Sequence, residues 1–249
     1  MVKILKELLL EQFNNKYCSL NDIVRVVEKY YSFTPRETII WNVNDLVKNN
    51  QITRVGRGIF FFGSKKQFRV TLSDTAKSVC AELTGKLKYL EITITDTSYL
   101  HNYMQILPFS SVIIIEVDKV AVRSVLSILR AVQFNAWAKE DLAIMEKYSS
   151  VTQQPEIIRS ELSANPSLLK ENNINYTNIE KLLVDVVCDE KVFSQYQGDE
   201  LYNIFSQFTD IYAINYSKML RYATARNRQE KVVEILSYTN EFIKVRDLL

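Results

Sequence analysis

Arginine and asparagine carry paired hydrogen-bonding groups that match the edges of guanine and adenine, and lysine or arginine neutralises phosphate. Residues 34–57 concentrate such groups: Thr34, Arg36, Thr38, Asn42, Lys48, Arg54 and Arg57. Arg36, Thr38 and Asn42 are the candidate base readers. Thr34 opens the same segment, and Lys48 is placed to meet a phosphate. Arg54 and Arg57 lie in the segment that follows, with Arg57 between Gly56 and Gly58. An arginine at a glycine-flanked turn can enter a minor groove or clamp a backbone.

Two other sets of residues could do chemistry. Asp96 and Glu116 each stand near the end of an apolar segment and could converge on Mg²⁺, as in a metal-dependent nuclease. That chemistry usually adds a lysine two residues after the second acid. Here Asp118 takes that place and Lys119 falls on the other face of a strand, so Asp96 and Glu116 read as strand-end residues and the chain as a non-enzyme. The second set is Glu180, Lys181, Asp185 and Asp189, followed by Lys218, Arg221, Arg226 and Arg228, with Tyr202, Tyr212, Tyr216 and Tyr222 nearby. Acids on one helix and bases on another read as intramolecular ion pairs, and alternatively as a charged face for a partner. The single histidine, His101, has no G-x-S-x-G nucleophile to serve and reads as a surface or interface residue. No phosphate-binding glycine loop and no H-E-x-x-H motif occurs. Three scattered cysteines, Cys18, Cys80 and Cys188, fit neither a disulfide framework nor a zinc site, so no cofactor and no metal is expected.

The elements that position these residues follow from periodicity. Residues 3–13 and 20–31 carry apolar side chains at helical spacing, with Ser19 a natural cap for the second. Thr34-Pro35 with Glu37 predicts a capping box opening a third helix over 35–49. Its buried side is Ile39, Val43 and Leu46, and its open side holds Thr34, Glu37, Thr38, Trp41, Asn44, Asp45 and Lys48, with Arg36 and Asn42 on the border. Trp41, though on the open side, is expected to bury against the following domain. Residues 51–55 and 59–62, joined by Gly56-Arg57-Gly58, predict a β-hairpin. Three helices and a hairpin form the order of a winged helix-turn-helix, whose third helix enters the major groove.

From residue 67 the pattern predicts a small α/β unit: a helix from Ser73 or Asp74 to about Leu83, strands over 87–95 and 111–117, short helices at 97–104 and 120–132, and a strand near 134–138. After a break at Gln153-Gln154-Pro155 and a polar stretch over 165–178, the chain reads as helical, with a capping box at Thr177–Glu180 and helices over 198–208 and 216–236. The expected class is therefore α+β (mixed α/β). The winged helix-turn-helix spans 1–66, and a second domain spans 67–249, divided into an α/β part (67–160) and a helical part (161–249).

Composition agrees with this partition. Residues 1–70 hold twelve Lys or Arg against six Asp or Glu, a net +6, whereas the remainder carries −4. A basic module on a mildly acidic body points to a polyanionic partner for the first part alone. No apolar run approaches the roughly 18 residues of a membrane span, and residues 1–10 read as a helix, not a signal peptide, so a cytoplasmic location is expected.

Trp41–Val47 (WNVNDLV) followed by Ile52–Phe60 (ITRVGRGIF) resembles the N-terminal winged helix of the AbiE-type (type IV) antitoxins. The stretches 179–187 (IEKLLVDVV), 196–201 (YQGDEL) and 215–223 (NYSKMLRYA) look like the C-terminal part of a related, uncharacterised bacterial group. The resemblance implies a bacterial antitoxin of an abortive-infection (phage-defence) system. Such a protein is a transcriptional autoregulator that binds inverted repeats of double-stranded DNA in its own promoter and opposes a nucleotidyltransferase-like toxin. Only Arg54, Arg57 and the open side of helix 35–49 carry a role across. A winged helix can also serve as a protein-docking module, which leaves an adaptor as the first alternative and a metal-dependent nuclease as the second.

Overall fold

The computed structural model describes residues 2–108, 110–148, 155–160, 169–171 and 174–249. Its class is α+β, as the periodicities imply. Helix α1 (Val2–Gln12) buries Leu5 and Leu9, one turn apart. Strand β1 (Tyr17–Ser19), which the sequence pattern does not announce, ends at the residue that caps α2 (Leu20–Tyr30). The Ser19 hydroxyl accepts the Asp22 N–H, and the Asp22 carboxylate accepts the Ser19 N–H in return. Helix α3 (Arg36–Lys48) begins otherwise than expected. Pro35, not Thr34, holds the cap position, without a side-chain hydrogen bond. The Thr34 N–H is bonded to the Tyr31 carbonyl, which keeps Thr34 in the turn after α2, and the Pro35 carbonyl receives the N–H groups of Thr38 and Ile39.

Strands β2 (Thr53–Gly56) and β3 (Ile59–Phe61) form the expected hairpin, and β1 pairs with β3, giving an antiparallel sheet of order β1-β3-β2. Alternation along the hairpin divides its side chains between two cores. Phe60 and Phe62 pack with Ile23, Val27, Ile39, Val43 and Leu46 inside the head. Val55, Ile59 and Phe61 point the other way, into the body's largest core. The head is thus anchored by a shared sheet. Tyr17 donates to Glu241 (2.5 Å) and Lys65 pairs with Glu241 (2.7 Å), adding polar ties between head and body. Burial would raise the Glu241 pKa, but hydrogen bonds from Lys244, Lys65 and Tyr17 bring it down to about 2.

The body is built on a six-stranded sheet. Helix α4 (Asp74–Lys86), capped by Ser73, precedes β4 (Ile92–Asp96). A 3-10 segment (Thr97–Tyr103), β5 (Ile113–Val117), α5 (Val122–Ala131), β6 (Ala136–Ala138), α6 (Leu142–Tyr148) and β7 (Glu156–Ser160) follow. Two further strands, β8 (Leu169–Glu171) and β9 (Ile174–Tyr176), fall in the stretch read as polar and helical. They complete the sheet in the order β6-β7-β5-β4-β9-β8, so the sheet crosses the boundary expected at residue 160. Three-residue strands carry too little alternation to stand out. Gln153-Gln154 and residues 165–168 and 172–173 of the polar stretch lie outside the described residues.

Strands β5, β7 and β6 run parallel, while β4 is antiparallel to β5. Ile92, Ile94, Ile113, Ile115, Val117 and Ile158 form one face, covered by α4 and α5. The opposite face carries Ile114 and Ile157 and meets the C-terminal helices: α7 (Ile179–Cys188), α8 (Asp199–Ile211), α9 (Tyr216–Ala225), α10 (Gln229–Leu236) and α11 (Asn240–Val245). The α7 cap is Asn178, whose side chain accepts the Lys181 N–H, and the expected cap Thr177 bonds the Thr95 hydroxyl instead. The helix expected over 216–236 breaks after Ala225, where Asn227 takes a left-handed conformation (φ 54°) that asparagine tolerates. Among the described residues no helix is long and apolar enough to cross a membrane.

Candidate nucleic-acid interface

Residues Glu37, Trp41, Asn44 and Lys48 recur at helical spacing along α3, and all four are exposed. Arg36 opens the helix, exposed, with its guanidinium donating to Asn21 Oδ1 of α2 (3.1 Å). Thr38 is half-buried two residues on, and Thr34 is half-buried in the preceding turn. Arg54 reaches across from β2: its guanidinium stacks over Phe60 (5.3 Å) and donates to Asn44 Oδ1 (3.3 Å). Among the described residues, Arg36, Lys48, Arg54 and Arg57 form no ion pair. Nearby Asp45 is neutralised by Lys6 of α1.

Two residues stand otherwise than the sequence suggests. Asn42, expected to read bases, is fully buried and donates to the Thr38 carbonyl (2.7 Å). It lies one turn from Asp45, on the flank that α1 covers through the Lys6–Asp45 pair, so the helix border closes inward there. Asn44 takes its place at the surface; the open stripe 37–41–44–48 is the signal that singles it out. Trp41, expected to be covered, is 59% exposed, with Lys6 Nζ 5.9 Å from its ring centroid. The body packs on the hairpin instead of on α3, which leaves this tryptophan open.

The hairpin tip is clasped. The Arg57 N–H donates to Ser217 Oγ of α9 (3.1 Å), while its side chain stays exposed. Gly58 supplies the left-handed turn (φ 70°). Gly56 serves close approach: a Cβ there would stand 2.9 Å from Ser217 Oγ and 3.1 Å from Leu249.

The acid pair considered for metal chemistry is taken apart by register. Glu116 pairs with Thr93 and Asp96 with Ile113 across the β4–β5 ladder, an odd offset that sends the two carboxylates to opposite faces. Asp96 accepts the N–H groups of Ser73 (2.7 Å) and Ser98 (2.9 Å). Glu116 enters an ion network beneath α7. Arg159 of β7 pairs with Glu116, with Asp185 (2.9 Å) and with Asp189 (2.5 Å), and Lys181 pairs with Glu116 (3.0 Å) and Asp185 (2.5 Å). Arg226 of α9 pairs with Asp185 (2.5 Å) and Asp189 (3.0 Å), the Tyr222 hydroxyl donates to Asp185 (2.8 Å), and Lys139 closes on Asp189 (2.6 Å). Burial alone would raise the pKa of Asp185, but Lys181, Arg159 and Arg226 overcome it and hold the carboxyl below its ordinary value. Asp189 behaves likewise, through Arg159 and the Lys139 hydrogen bond. Of the eight charged residues grouped in this region by sequence, Lys181, Asp185, Asp189 and Arg226 join the network. Glu180 instead accepts the Asn215 N–H (2.8 Å), and Lys218, Arg221 and Arg228 stand outside. Arg159 and Glu116, which complete the set, come from strands and share no sequence neighbourhood with it. His101 bonds the Tyr196 hydroxyl (3.1 Å), an interface role, and burial lowers its pKa.

The chain is therefore an α+β protein in which a basic helical head is fused through a shared hairpin to a helix-covered mixed sheet. Residues 38–241 match the Family of unknown function (DUF6577), and the chain belongs to that family. The match begins within α3 and runs through hairpin and body together. No curated protein matches the chain.

Proposed function

We propose that the chain is a sequence-specific DNA-binding autoregulator and antitoxin, reading promoter inverted repeats with its head and opposing a nucleotidyltransferase-like toxin in the bacterial cytoplasm. The observation that carries the DNA reading is the set of four exposed cations, Arg36, Lys48, Arg54 and Arg57, which have no carboxylate partner among the described residues. Cations kept unpaired at a surface are available to displace the counterions of a phosphate backbone. Arg36 and Asn44 supply side chains that match guanine and adenine edges, and Arg54 holds Asn44 in place. The antitoxin part rests on the resemblance of residues 41–47 and 52–60 to AbiE-type antitoxins.

Titration of the full chain with a labelled duplex from upstream of its own coding region, against a scrambled duplex, tests the reading. Tighter binding to its own duplex is expected; equal or absent binding overturns it. Rescue of growth from a nucleotidyltransferase encoded beside it tests the antitoxin role. One observation favours a second reading, a docking adaptor: Phe33 (99% exposed) and Trp41 (59%) both stand open on the head. A head that docks a protein in this way leaves duplex affinity unchanged on Arg36→Ala.

A further inference from the structure

Arg221 of α9 is one of the cations that the ion network leaves out. It is exposed and forms no ion pair among the described residues. Ser217, four residues before it, takes the Arg57 N–H at the hairpin tip (3.1 Å) and stands against Gly56. Residues four apart in a helix share a face, with Cβ atoms about 5–6 Å apart. Arg221 therefore follows the wing tip by a single helical turn. The buried side of α9, with Tyr216, Met219, Tyr222 and Ala223, is turned away from both and onto the body's core.

Charge along the seam between head and body is uneven. The acids that meet the hairpin stand at its base, where Tyr17 is in register with Phe61, the last residue of β3. There Glu241 accepts the Tyr17 hydroxyl and pairs with Lys65, and Asp210 also acts on Tyr17. At the tip, Arg57 and Arg221 have no carboxylate partner among the described residues. The acids on neighbouring elements are already answered. Asp22 of α2 pairs with Arg25, Asp247 with Arg246, and Glu180, which takes the Asn215 N–H before α9, has Lys218 beside it. Two unpaired arginines, one on the wing and one on the body, are thus held on adjacent backbones by the Arg57–Ser217 hydrogen bond. Such cations are free to displace the counterions of a phosphate backbone.

We infer that Arg221 is a further phosphate-binding residue of the duplex interface, so that the DNA runs from α3 over the wing tip and onto α9 of the body; the inference rests on the DNA reading of the head. Titration of the full chain with the duplex from upstream of its own coding region, over a series of salt concentrations, tests it. Arg221→Ala should flatten the plot of log K against log salt by about one unit. It should weaken the scrambled duplex as much as the native one, since phosphate carries no sequence, and should leave the unfolding midpoint in place. Arg221→Lys should keep the wild-type slope. So should Arg123→Ala, which removes an exposed arginine of α5 on the opposite side of the sheet. A slope that Arg221→Ala leaves at its wild-type value, with binding still steep in salt, overturns this inference and spares the head. A slope changed equally by Arg123→Ala overturns it as an effect of net charge alone. Binding that is absent or independent of salt overturns it together with the DNA reading.

Discussion

Arginines meet opposite fates in the two parts of this molecule. In the head, Arg36, Arg54 and Arg57 stand in solvent with no carboxylate among the described residues. In the body, Arg159 is 3% exposed and touches three carboxylates. The difference teaches that a count of basic residues does not define an anion-binding surface. What matters is which cations folding leaves without partners. The charges of the network are spent on one another and fasten α7 and α9 to the sheet, whereas Arg36, Lys48, Arg54 and Arg57 of the head are left outward.

The comparison breaks most sharply at Asp185. Asp185→Ala leaves Arg159, Lys181 and Arg226 short of a buried partner, and such losses cost about 3–5 kcal/mol. Urea unfolding should show a large drop in midpoint, while Arg54→Ala should shift stability by less than about 0.5 kcal/mol. A small effect at Asp185 would mean that the network is not structural.

Gly56→Ala probes the seam between the two parts. The new methyl meets Ser217 Oγ and Leu249, and overpacking of this kind costs about 1–3 kcal/mol. Adding Ser217→Ala should recover part of that loss in the same unfolding assay, since it removes the nearest of the three atoms met, the others being on Ile59 and Leu249. Within the head, Arg36→Ala should narrow discrimination between operator and mismatched duplex by about 1–3 kcal/mol. Equal weakening on every duplex would assign Arg36 to phosphate instead.

A further prediction concerns a carboxyl with no ion-pair partner among the described residues. Glu156 is 1% exposed, its Oε2 has no hydrogen-bond partner among the described residues, and burial pushes its pKa up to about 7. The native state therefore holds a proton that the unfolded chain has released between about pH 4.5 and 7. Stability from this group falls as pH rises through that window. Glu156→Gln should be the more stable chain at pH 8 and should show a flatter midpoint-against-pH curve; an unaltered slope would contradict the assignment.

Much of the fold was legible because helices and five-residue strands carry periodic patterns. α2, α4, β5 and the hairpin stand close to where alternation and capping place them. β1, β7, β8 and β9 were not read from the sequence: three of them hold only three residues, and all four take their stability from sheet partners distant in sequence. Helical projection put Lys48 at the surface but left Arg36 and Asn42 on a border that only packing decides, open at Arg36 and closed over Asn42. The acids and bases near residues 181–226 suggested ion pairs, yet their partners Glu116 and Arg159 become neighbours only once β5 and β7 pair.

The salt dependence of duplex binding tests the central claim most directly. Affinity of the full chain, plotted as log K against log salt concentration, should fall steeply, and Arg54→Ala/Arg57→Ala should flatten the slope by about two units with no change in unfolding midpoint. A duplex affinity that is independent of salt, or a slope that the double variant leaves untouched, would contradict the account.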